Sequence, residues 1–220
     1  MTADDLTPPR IVAFPESEAP EHLRLQALDL QEQAWPSAPA PAPAATPPTS
    51  PAPPAAPAPA PAYDPRHDPA LRPLSLFLLA EDGRTVLASL DVLSKQLDHA
   101  GRRYAASGLS RVVSSPAHRG RGHGRRLVAA ALDTVRRGGA DLGLFTCDRP
   151  LRGFYEGAGW QFLPGAVLVG GTAEEPFPSD RPGFDKVTMA AFLTPHARVH
   201  AADFRHTRIA LHPGPVDRLW

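Results

Sequence analysis

The sequence predicts an α/β fold in which a mixed, largely antiparallel sheet is flanked by helices. Apolar runs of strand length, separated by turn signals, fill the middle of the chain. Two longer segments instead repeat their apolar residues with helical spacing. The resulting order is βα, then βββ, then αβαββ. Such an order favours one sheet with helices packed against its faces.

The first two elements lie near the N-terminus. RIVAF (10–14) predicts a short strand, and PEHLRLQALDLQEQAW (20–35) predicts a helix. Pro20 suits the first turn of that helix, and Pro36 ends it. The apolar stripe of the helix consists of Leu23, Ala27, Leu30 and Ala34.

A Pro/Ala-rich segment, residues 37–62, follows this helix and holds eleven of the 28 prolines of the chain. It contains no side chain larger than threonine, so it predicts a solvated, disordered insertion. One strand and one helix are too small to hold a core alone. We therefore expect a single domain over residues 10–220, interrupted by 37–62, rather than a separate N-terminal module. Residues 1–9 are expected to form a flexible N-terminus.

After the insertion, the pattern predicts three strands joined by tight turns. LSLFLLA (74–80) and TVLASLDVLSK (85–95) flank the turn EDGR (81–84), and this arrangement is typical of a β-hairpin. A second turn, HAG (99–101), leads into RRYAASGLSRVVSS (102–115) as the third of these strands.

The remaining elements begin with a helix that directly follows a glycine-rich loop. Gly138 and Gly139 are suited to end this helix. Its apolar face is expected to consist of Leu127, Val128, Ala131, Leu132 and Val135. The predicted order is completed by a strand at 141–147, a short helix at 148–159 with Asp148 as its N-cap, and strands at 160–163 and 184–193.

The overall charge narrows the class of protein. Lys+Arg and Asp+Glu number 23 each, so the formal net charge is zero. Nucleic-acid and membrane-surface proteins usually carry a one-sided charge. The N-terminal residues lack the apolar core of a secretory signal, and no apolar run has the length of a membrane span. We therefore expect a soluble, cytoplasmic protein that binds neither nucleic acid nor membrane.

The glycine-rich loop indicates a binding site for an anion. In AHRGRGHGRR (117–126), glycines alternate with basic residues immediately before the helix. Glycines let backbone amides approach a ligand, and a helix N-terminus adds unpaired N–H groups and a positive dipole. The loop has neither the G-K-[ST] of a P-loop nor the third glycine of a dinucleotide fold. The alternative is a glycine-rich turn whose arginines are simply solvated.

Two motifs resemble the GNAT family of acetyl-CoA-dependent N-acetyltransferases. Arg119-x-x-Gly122-x-Gly124 resembles the loop signature of the family, and FYEGAGW, which contains Tyr155, resembles the end of its tyrosine helix. The motifs occur in the order and at the spacing of the family. The resemblance implies the acyl-CoA N-acyltransferase fold, with RIVAF as its first strand.

The same resemblance implies a cosubstrate, acetyl-CoA, and direct attack by an amine on the thioester. Tyr155 matches the acid that protonates the leaving thiolate. Many relatives have a carboxylate base on the fourth strand; here Ser110 occupies that place and could hold a water. No metal is implied. The implied coenzyme contacts are Val112, Val113, Ser114, Arg119, Gly120, Arg121, Gly122, His123, Gly124 and Arg125.

Within this family, the C-terminal half most resembles the aminoglycoside 2'-N-acetyltransferases. EEPFPSDRPGFDKVTM resembles their acidic loop, and LHPGPVDRLW resembles their tail. The resemblance implies that Asp180 or Asp185, together with the terminal carboxylate of Trp220, binds a cationic acceptor. Ser110 departs from the pattern of those enzymes.

The acceptor is therefore expected to be the primary amine of a small polar, cationic molecule, for which an aminoglycoside is one candidate. A protein or peptide N-acetyltransferase and a non-catalytic acyl-CoA-binding module remain the alternatives. A homodimer is also left open.

Overall fold

The computed structural model describes residues 8–36 and 66–220, so the segment predicted to be disordered, 37–62, lies outside the described residues. The described strands are β1 (Arg10–Pro15), β2 (Leu74–Leu79), β3 (Val86–His99), β4 (Arg102–Ser114), β5 (Leu142–Asp148), β6 (Gln161–Phe162), β7 (Val167–Gly171), β8 (Pro176–Pro178), β9 (Lys186–Phe192) and β10 (Arg208–Ala210). The α-helices are α1 (Glu21–Ala34), α2 (His123–Arg137), α3 (Arg152–Glu156) and α4 (Pro195–Val199).

Seven strands form one sheet in the order β1-β2-β3-β4-β5-β9-β6. Every neighbouring pair is antiparallel except β4 and β5, which are parallel. A smaller sheet has the order β10-β7-β8. The predicted class, a mixed and largely antiparallel sheet flanked by helices, is confirmed.

The two long helices cover opposite faces of the large sheet. All five apolar residues predicted for the face of α2 are buried, and they pack in one core with Leu76, Leu90 and Leu109 of the central strands. Helix α1 buries Leu23, Ala27 and Leu30 in a separate core on the other face, together with Phe77. Alternate residues of each central strand therefore serve different helices.

Strand β1 pairs with β2 across the long intervening segment. The register runs from Arg10 opposite Leu79 to Pro15 opposite Leu74. The N-terminal strand is thus an edge strand of the same sheet that β3 and β4 continue.

Several predicted boundaries differ from the structure. The helix predicted at 148–159 is a 3-10 turn followed by the five residues of α3. Asp148 ends β5 and occupies the N-cap position of the 3-10 turn, as predicted, but its side chain makes no capping hydrogen bond. Its carboxylate instead lies 2.7 Å from the ammonium of Lys186 on β9. Strand β3 continues to His99, and β7, β8 and β10 had not been predicted.

Candidate active site

Strands β4 and β5 diverge after a short stretch of pairing. They are paired only at Ala106–Leu142 and Ser107–Gly143. Farther along β4, one extra residue is inserted opposite β3, and Arg111 there has a φ of 49°. Such a bulge bends a strand and re-aims its backbone groups. The divergence opens a cleft between the two parallel strands.

Beyond the bulge, the backbone N–H and C=O groups of every second residue of β4 point toward this cleft. The N–H of Ser115 donates to the carbonyl of Leu87 on β3 at 2.9 Å. Since backbone groups alternate along a strand, those of Val113 also face β3, and those of Val112 and Ser114 face the open side. The side chain of Val113 is buried with helix α1. Val112, which borders the cleft, and Ser114 are therefore the residues whose polar backbone groups face away from β3.

The cleft has a volume of about 380 Å³ and is bordered by residues from β4, β5, α3 and the C-terminal segment. Val112, Cys147, Tyr155, Lys186 and Trp220 all contribute to its walls. The cleft thus joins the diverging strands to the tyrosine that the sequence singled out.

The glycine-rich loop ends in a helix start that no side chain caps. Gly120 and Gly122 have φ values of 79° and 77°, a conformation that favours glycine. Gly122 is the N-cap of α2, and the first helical bond runs from the Arg126 N–H to its carbonyl at 2.9 Å. The amides of His123, Gly124 and Arg125 therefore have no acceptor within the helix.

The charges around this helix start are basic. Arg119, Arg121 and Arg125 are exposed. Burial and the neighbouring His118, Arg121 and Arg126 lower the pKa of His123, so its imidazole is neutral at pH 7. Amide donors and guanidinium groups at one helix start together favour a phosphate ligand.

Gly124 allows α2 and α3 to pack closely. A Cβ on Gly124 would lie 3.3 Å from the ring of Phe154. Phe154 in turn packs edge-to-face with Tyr155, with ring centroids 5.0 Å apart. The loop and the tyrosine are thus connected through one aromatic contact.

Tyr155 is buried at the wall of the cleft. Its ring also packs edge-to-face with Phe145 of β5, with centroids 5.0 Å apart. Burial, followed by Cys147 and Asp148, raises the pKa of the phenol above its ordinary value. The hydroxyl is therefore protonated at neutral pH and can donate a proton or a hydrogen bond.

Cys147 borders the same cleft as a buried thiol. Burial, together with Asp148, raises the pKa of this thiol to about 11. A thiol that stays protonated at pH 7 is a poor nucleophile. Cys147 is therefore poorly suited to act as a nucleophile at pH 7.

Ser110, the residue found where many relatives have a carboxylate, lies directly opposite Asp91 on β3. Opposed residues of paired strands project to the same face of a sheet. Both residues are buried, and the carboxylate of Asp91 accepts a hydrogen bond from the Ser75 hydroxyl at 2.6 Å. A carboxylate is therefore present at this level of the sheet, one strand away from the predicted position.

Asp91 belongs to a buried polar cluster that the sequence analysis missed. His67 Nε2 lies 3.1 Å from Asp91 Oδ2, and His67 Nδ1 lies 2.5 Å from Asp217 Oδ1. The main-chain N–H of His67 donates to both carboxylate oxygens of Glu16, at 3.1 and 3.3 Å. The only signal in the sequence was the aspartate inside the apolar run of β3.

The two aspartates of this cluster determine whether His67 carries a proton. Burial alone lowers the pKa of His67, but the hydrogen bonds with Asp217 and Asp91 outweigh it and raise the pKa to about 9. His67 is thus a cation at neutral pH and cannot act there as a base. Burial raises the pKa of the half-buried Glu16, against the opposing effect of His67.

Of the three residues expected to bind the acceptor, one borders the cleft and two do not. Asp180 is exposed and forms a two-pronged ion pair with Arg208, at 2.8 and 3.2 Å. Asp185 is exposed and lies 2.7 Å from Nε of Arg149. Neither contributes to the cleft walls, whereas Trp220 does.

The indole of Trp220 fills the base of the divergence. A Cβ on Gly108 of β4 would lie 2.6 Å from that ring and 2.7 Å from the carbonyl of Leu144 on β5. Gly108 is therefore the residue that lets the tail lie between the two strands.

Two features are absent from residues 8–36 and 66–220. No group of three His, Cys, Asp or Glu side chains in these ranges could hold a metal ion. No helix in the same ranges has both the length and the apolar character needed to cross a membrane.

The fold and the site together are those of an acyl-group transferase. They combine a diverging pair of parallel strands, an uncapped glycine-rich helix start and a protonated tyrosine beside the cleft. The family model described as acetyltransferase (GNAT) domain matches residues 20–163, more than half of the chain. The chain belongs to this family and is an N-acetyltransferase.

Known structures agree with the fold at low sequence identity. Escherichia coli ElaA is 17% identical, with a TM-score of 0.50 over 83% of this chain and 98% of that one. An acyl-CoA N-acyltransferase from Pseudomonas aeruginosa is 16% identical, with the same TM-score over 83% and 98%. Among curated proteins, no sequence matches this chain significantly. These similarities concern the fold alone.

Proposed function

We propose that the protein transfers the acetyl group of acetyl-CoA to the primary amine of a small polar, cationic acceptor. The observation that carries the proposal is the divergence of β4 and β5 immediately before the glycine-rich helix start. Amide donors suited to a phosphate lie at the start of α2, and a protonated tyrosine lies at the wall of the cleft.

The residues present fit acetyl-CoA. A Cβ on Gly120 or Gly122 would meet nothing within 4 Å, so the loop leaves room for a phosphate at its backbone. We assign the pyrophosphate to the amides of Gly122, His123 and Gly124. Arg119, Gly120, Arg121 and Arg125 surround that position as charged or flexible neighbours.

The same proposal assigns the pantetheine arm to the backbone of Val112 and Ser114. Both have polar backbone groups toward the cleft, and an extended amide-containing chain can pair with them much as a strand would. Val113 contributes through its side chain, which fixes β4 beneath α1.

When bound, acetyl-CoA supplies a thioester-linked acetyl group that an amine can attack. The backbone N–H of Val112 is suited to stabilise negative charge on the carbonyl oxygen. The hydroxyl of Tyr155 is suited to protonate the departing thiolate, since its raised pKa keeps it protonated. Ser110 is too deeply buried against Asp91 to be assigned a base role here without a water.

For the acceptor, an aminoglycoside 2'-amine is the particular candidate that the tail favours. The observation behind it is Trp220, whose indole borders the cleft where the resemblance expects the tail. Asp180 and Asp185 support it less, because each is engaged with an arginine outside the cleft. A cationic amine remains the broader class.

The test is release of coenzyme A by the purified protein over a panel of amines. The panel contains simple alkyl and arylalkyl amines, aminoglycosides and a peptide with a free N-terminus. Release that depends on one amine class, with N-acetylation confirmed by mass spectrometry, would establish the acceptor. Acetyl-CoA binding without release for any amine would favour a non-catalytic acyl-CoA-binding module instead.

A further inference from the structure

A second and larger cavity adjoins the cleft. Its volume is about 740 Å³, and its walls come from three separate segments, at 15–17, 66–74 and 213–217. The side chain of Val216 borders both spaces. A cavity of this size suits a small organic ligand. We call it the acceptor chamber.

Apolar residues form a large part of the walls of the acceptor chamber, and charged side chains, among them Arg66 and Arg72, complete the walls. Leu74 and Val216 line it together with five prolines. Prolyl and aliphatic side chains offer contact area but no hydrogen-bond donors or acceptors of their own. The prolines are Pro15, Pro69, Pro73, Pro213 and Pro215. Such walls suit an apolar ligand body better than a hydroxyl-rich one.

Glu16 is the chamber carboxylate best placed for a cationic group. Among the described residues, its two oxygens share a single donor, the N–H of His67, and a carboxylate has about four acceptor sites. Asp68 and Asp217 also line the chamber. Asp68 is exposed to solvent and Asp217 contacts the His67 imidazole, whereas Glu16 is half-buried.

A second polar group, without a partner within residues 8–36 and 66–220, lies in a separate small cavity that Glu16 also borders. This cavity lies under α1, and Ser89 and Asp91 border it as well. Ser89 is only 3% exposed, and its hydroxyl has no hydrogen-bond partner among the described residues. A buried hydroxyl without a partner costs free energy. Arg111 lines this small cavity and also the cleft between β4 and β5.

The chamber is also built to keep its shape. His67 from the second wall segment joins Asp217 from the third, and both side chains are almost fully buried. The same imidazole contacts Asp91 on the sheet. A fixed chamber lowers the entropy cost of binding a small ligand.

We propose that the acceptor chamber binds the amine acceptor as a primary amine with an apolar body, and that the Glu16 carboxylate binds its ammonium group and accepts the proton that the nitrogen must lose before it attacks the thioester. This inference rests on the proposed N-acetyltransferase function, and it replaces the small polar acceptor proposed there by a primary amine with an apolar body. It favours an alkyl or arylalkyl monoamine over an aminoglycoside, whose many hydroxyls would find few partners at prolyl walls.

The first test compares two isosteric substitutions. Glu16→Gln keeps an oxygen for the His67 N–H but loses the charge, whereas Asp68→Asn keeps the contact with the Ala70 N–H at the same chamber. With 2-phenylethylamine as acceptor, Glu16→Gln should raise the KM for the amine by roughly tenfold or more. Its KM for acetyl-CoA and its melting temperature should stay unchanged, and Asp68→Asn should leave all three values unchanged.

The second test fills the acceptor chamber. Ser17 is exposed at its wall, so Ser17→Trp adds bulk without removing a core contact. This variant should bind acetyl-CoA normally and lose affinity for 2-phenylethylamine. Normal amine kinetics in both Glu16→Gln and Ser17→Trp would overturn the chamber assignment while leaving the acetyltransferase intact. A panel in which only aminoglycosides are acetylated would overturn the acceptor class.

A binding measurement separates this inference from the proposed function. Calorimetry with 2-phenylethylamine and with 2-phenylethanol, which lacks the ammonium group, needs no turnover. We expect only the amine to bind, and its binding to be lost in Glu16→Gln and in Ser17→Trp. Failure of the amine to bind the unaltered protein would overturn the chamber assignment. Failure to bind acetyl-CoA, by contrast, would overturn the proposed function.

Discussion

The buried histidine between two aspartates should make the stability of the protein depend on pH above neutrality. The side chain of His67 is 0% exposed and contacts both Asp91 and Asp217. Its pKa is raised from 6.5 to about 9. Glu16 and Arg111 are the other charged groups that act on it. The folded protein therefore retains a proton that the unfolded chain has already lost near pH 7.

The direction and the size of the pH effect on stability follow from this difference in pKa between the folded and unfolded states. Because the pKa is higher in the folded state, the stabilisation is fully present below pH 6.5 and disappears as the pH rises through about 9. Between those values the free energy of unfolding should fall by about 1.4 kcal/mol per pH unit. The total loss is then about 3 kcal/mol, a large part of the stability of an ordinary domain.

Urea unfolding at half-unit steps from pH 6 to pH 9.5 measures this loss. His67→Gln is the matched control, since its amide still donates to one aspartate but does not titrate. The control should be less stable than the unaltered protein at pH 6 and should lack the decline with pH. A free energy of unfolding that is flat over this range in the unaltered protein would refute the assignment of a charged, buried His67.

The other predictions concern the coenzyme, the acid and the N-terminal segment. Gly122→Asp should weaken acetyl-CoA binding by calorimetry at least roughly tenfold more than Gly122→Asn, because only the aspartate repels a phosphate at the helix start. Equal affinities of the two variants for acetyl-CoA would show that its phosphates bind elsewhere. Tyr155→Phe should lower kcat by about 10²-fold with little change in acetyl-CoA affinity, as for the loss of a general acid. Unchanged kcat in rapid-quench assays would remove the tyrosine from the chemistry. Deletion of residues 1–36 should abolish cooperative thermal unfolding, since it removes an edge strand and α1. Replacement of residues 37–62 by a short Gly/Ser loop should leave cooperative thermal unfolding intact. A stable 63–220 fragment would contradict the single-domain proposal.

The glycine-rich loop and its helix could be predicted because local sequence determines them. Alternating glycines, five apolar residues at helical spacing and a Gly-Gly end all act within a few residues of one another. All five apolar positions are buried as predicted, and Gly122 is the N-cap. Local patterns of this kind need no knowledge of the rest of the chain.

The polar cluster could not be predicted because its members are far apart in the sequence. His67 and Asp217 are separated by 150 residues and meet only through the folded sheet. The sequence shows that β4 has Ser110 where many relatives have a carboxylate. That Asp91 of β3 lies opposite Ser110 depends on the register of the two strands, which the sequence does not show. A register is fixed by the packing of both faces of a sheet, not by either strand alone.

The short strands of the C-terminal half were missed for a related reason. Strand β8 spans three residues, two of which are prolines, and β10 also spans three. Such segments carry no alternation long enough to recognise. They are strands because β7 supplies their hydrogen-bond partners.

The pairing of β1 with β2 has a consequence for how the polypeptide could be divided. Six opposed residue pairs and the apolar side of α1 join the first 36 residues to the rest of the sheet. None of these contacts requires the peptide bonds of the intervening segment. Two separately expressed pieces, 1–36 and 66–220, should therefore assemble in the cell into a two-chain acetyltransferase. The protein would then serve as a split enzyme whose activity reports whether two fused partners meet.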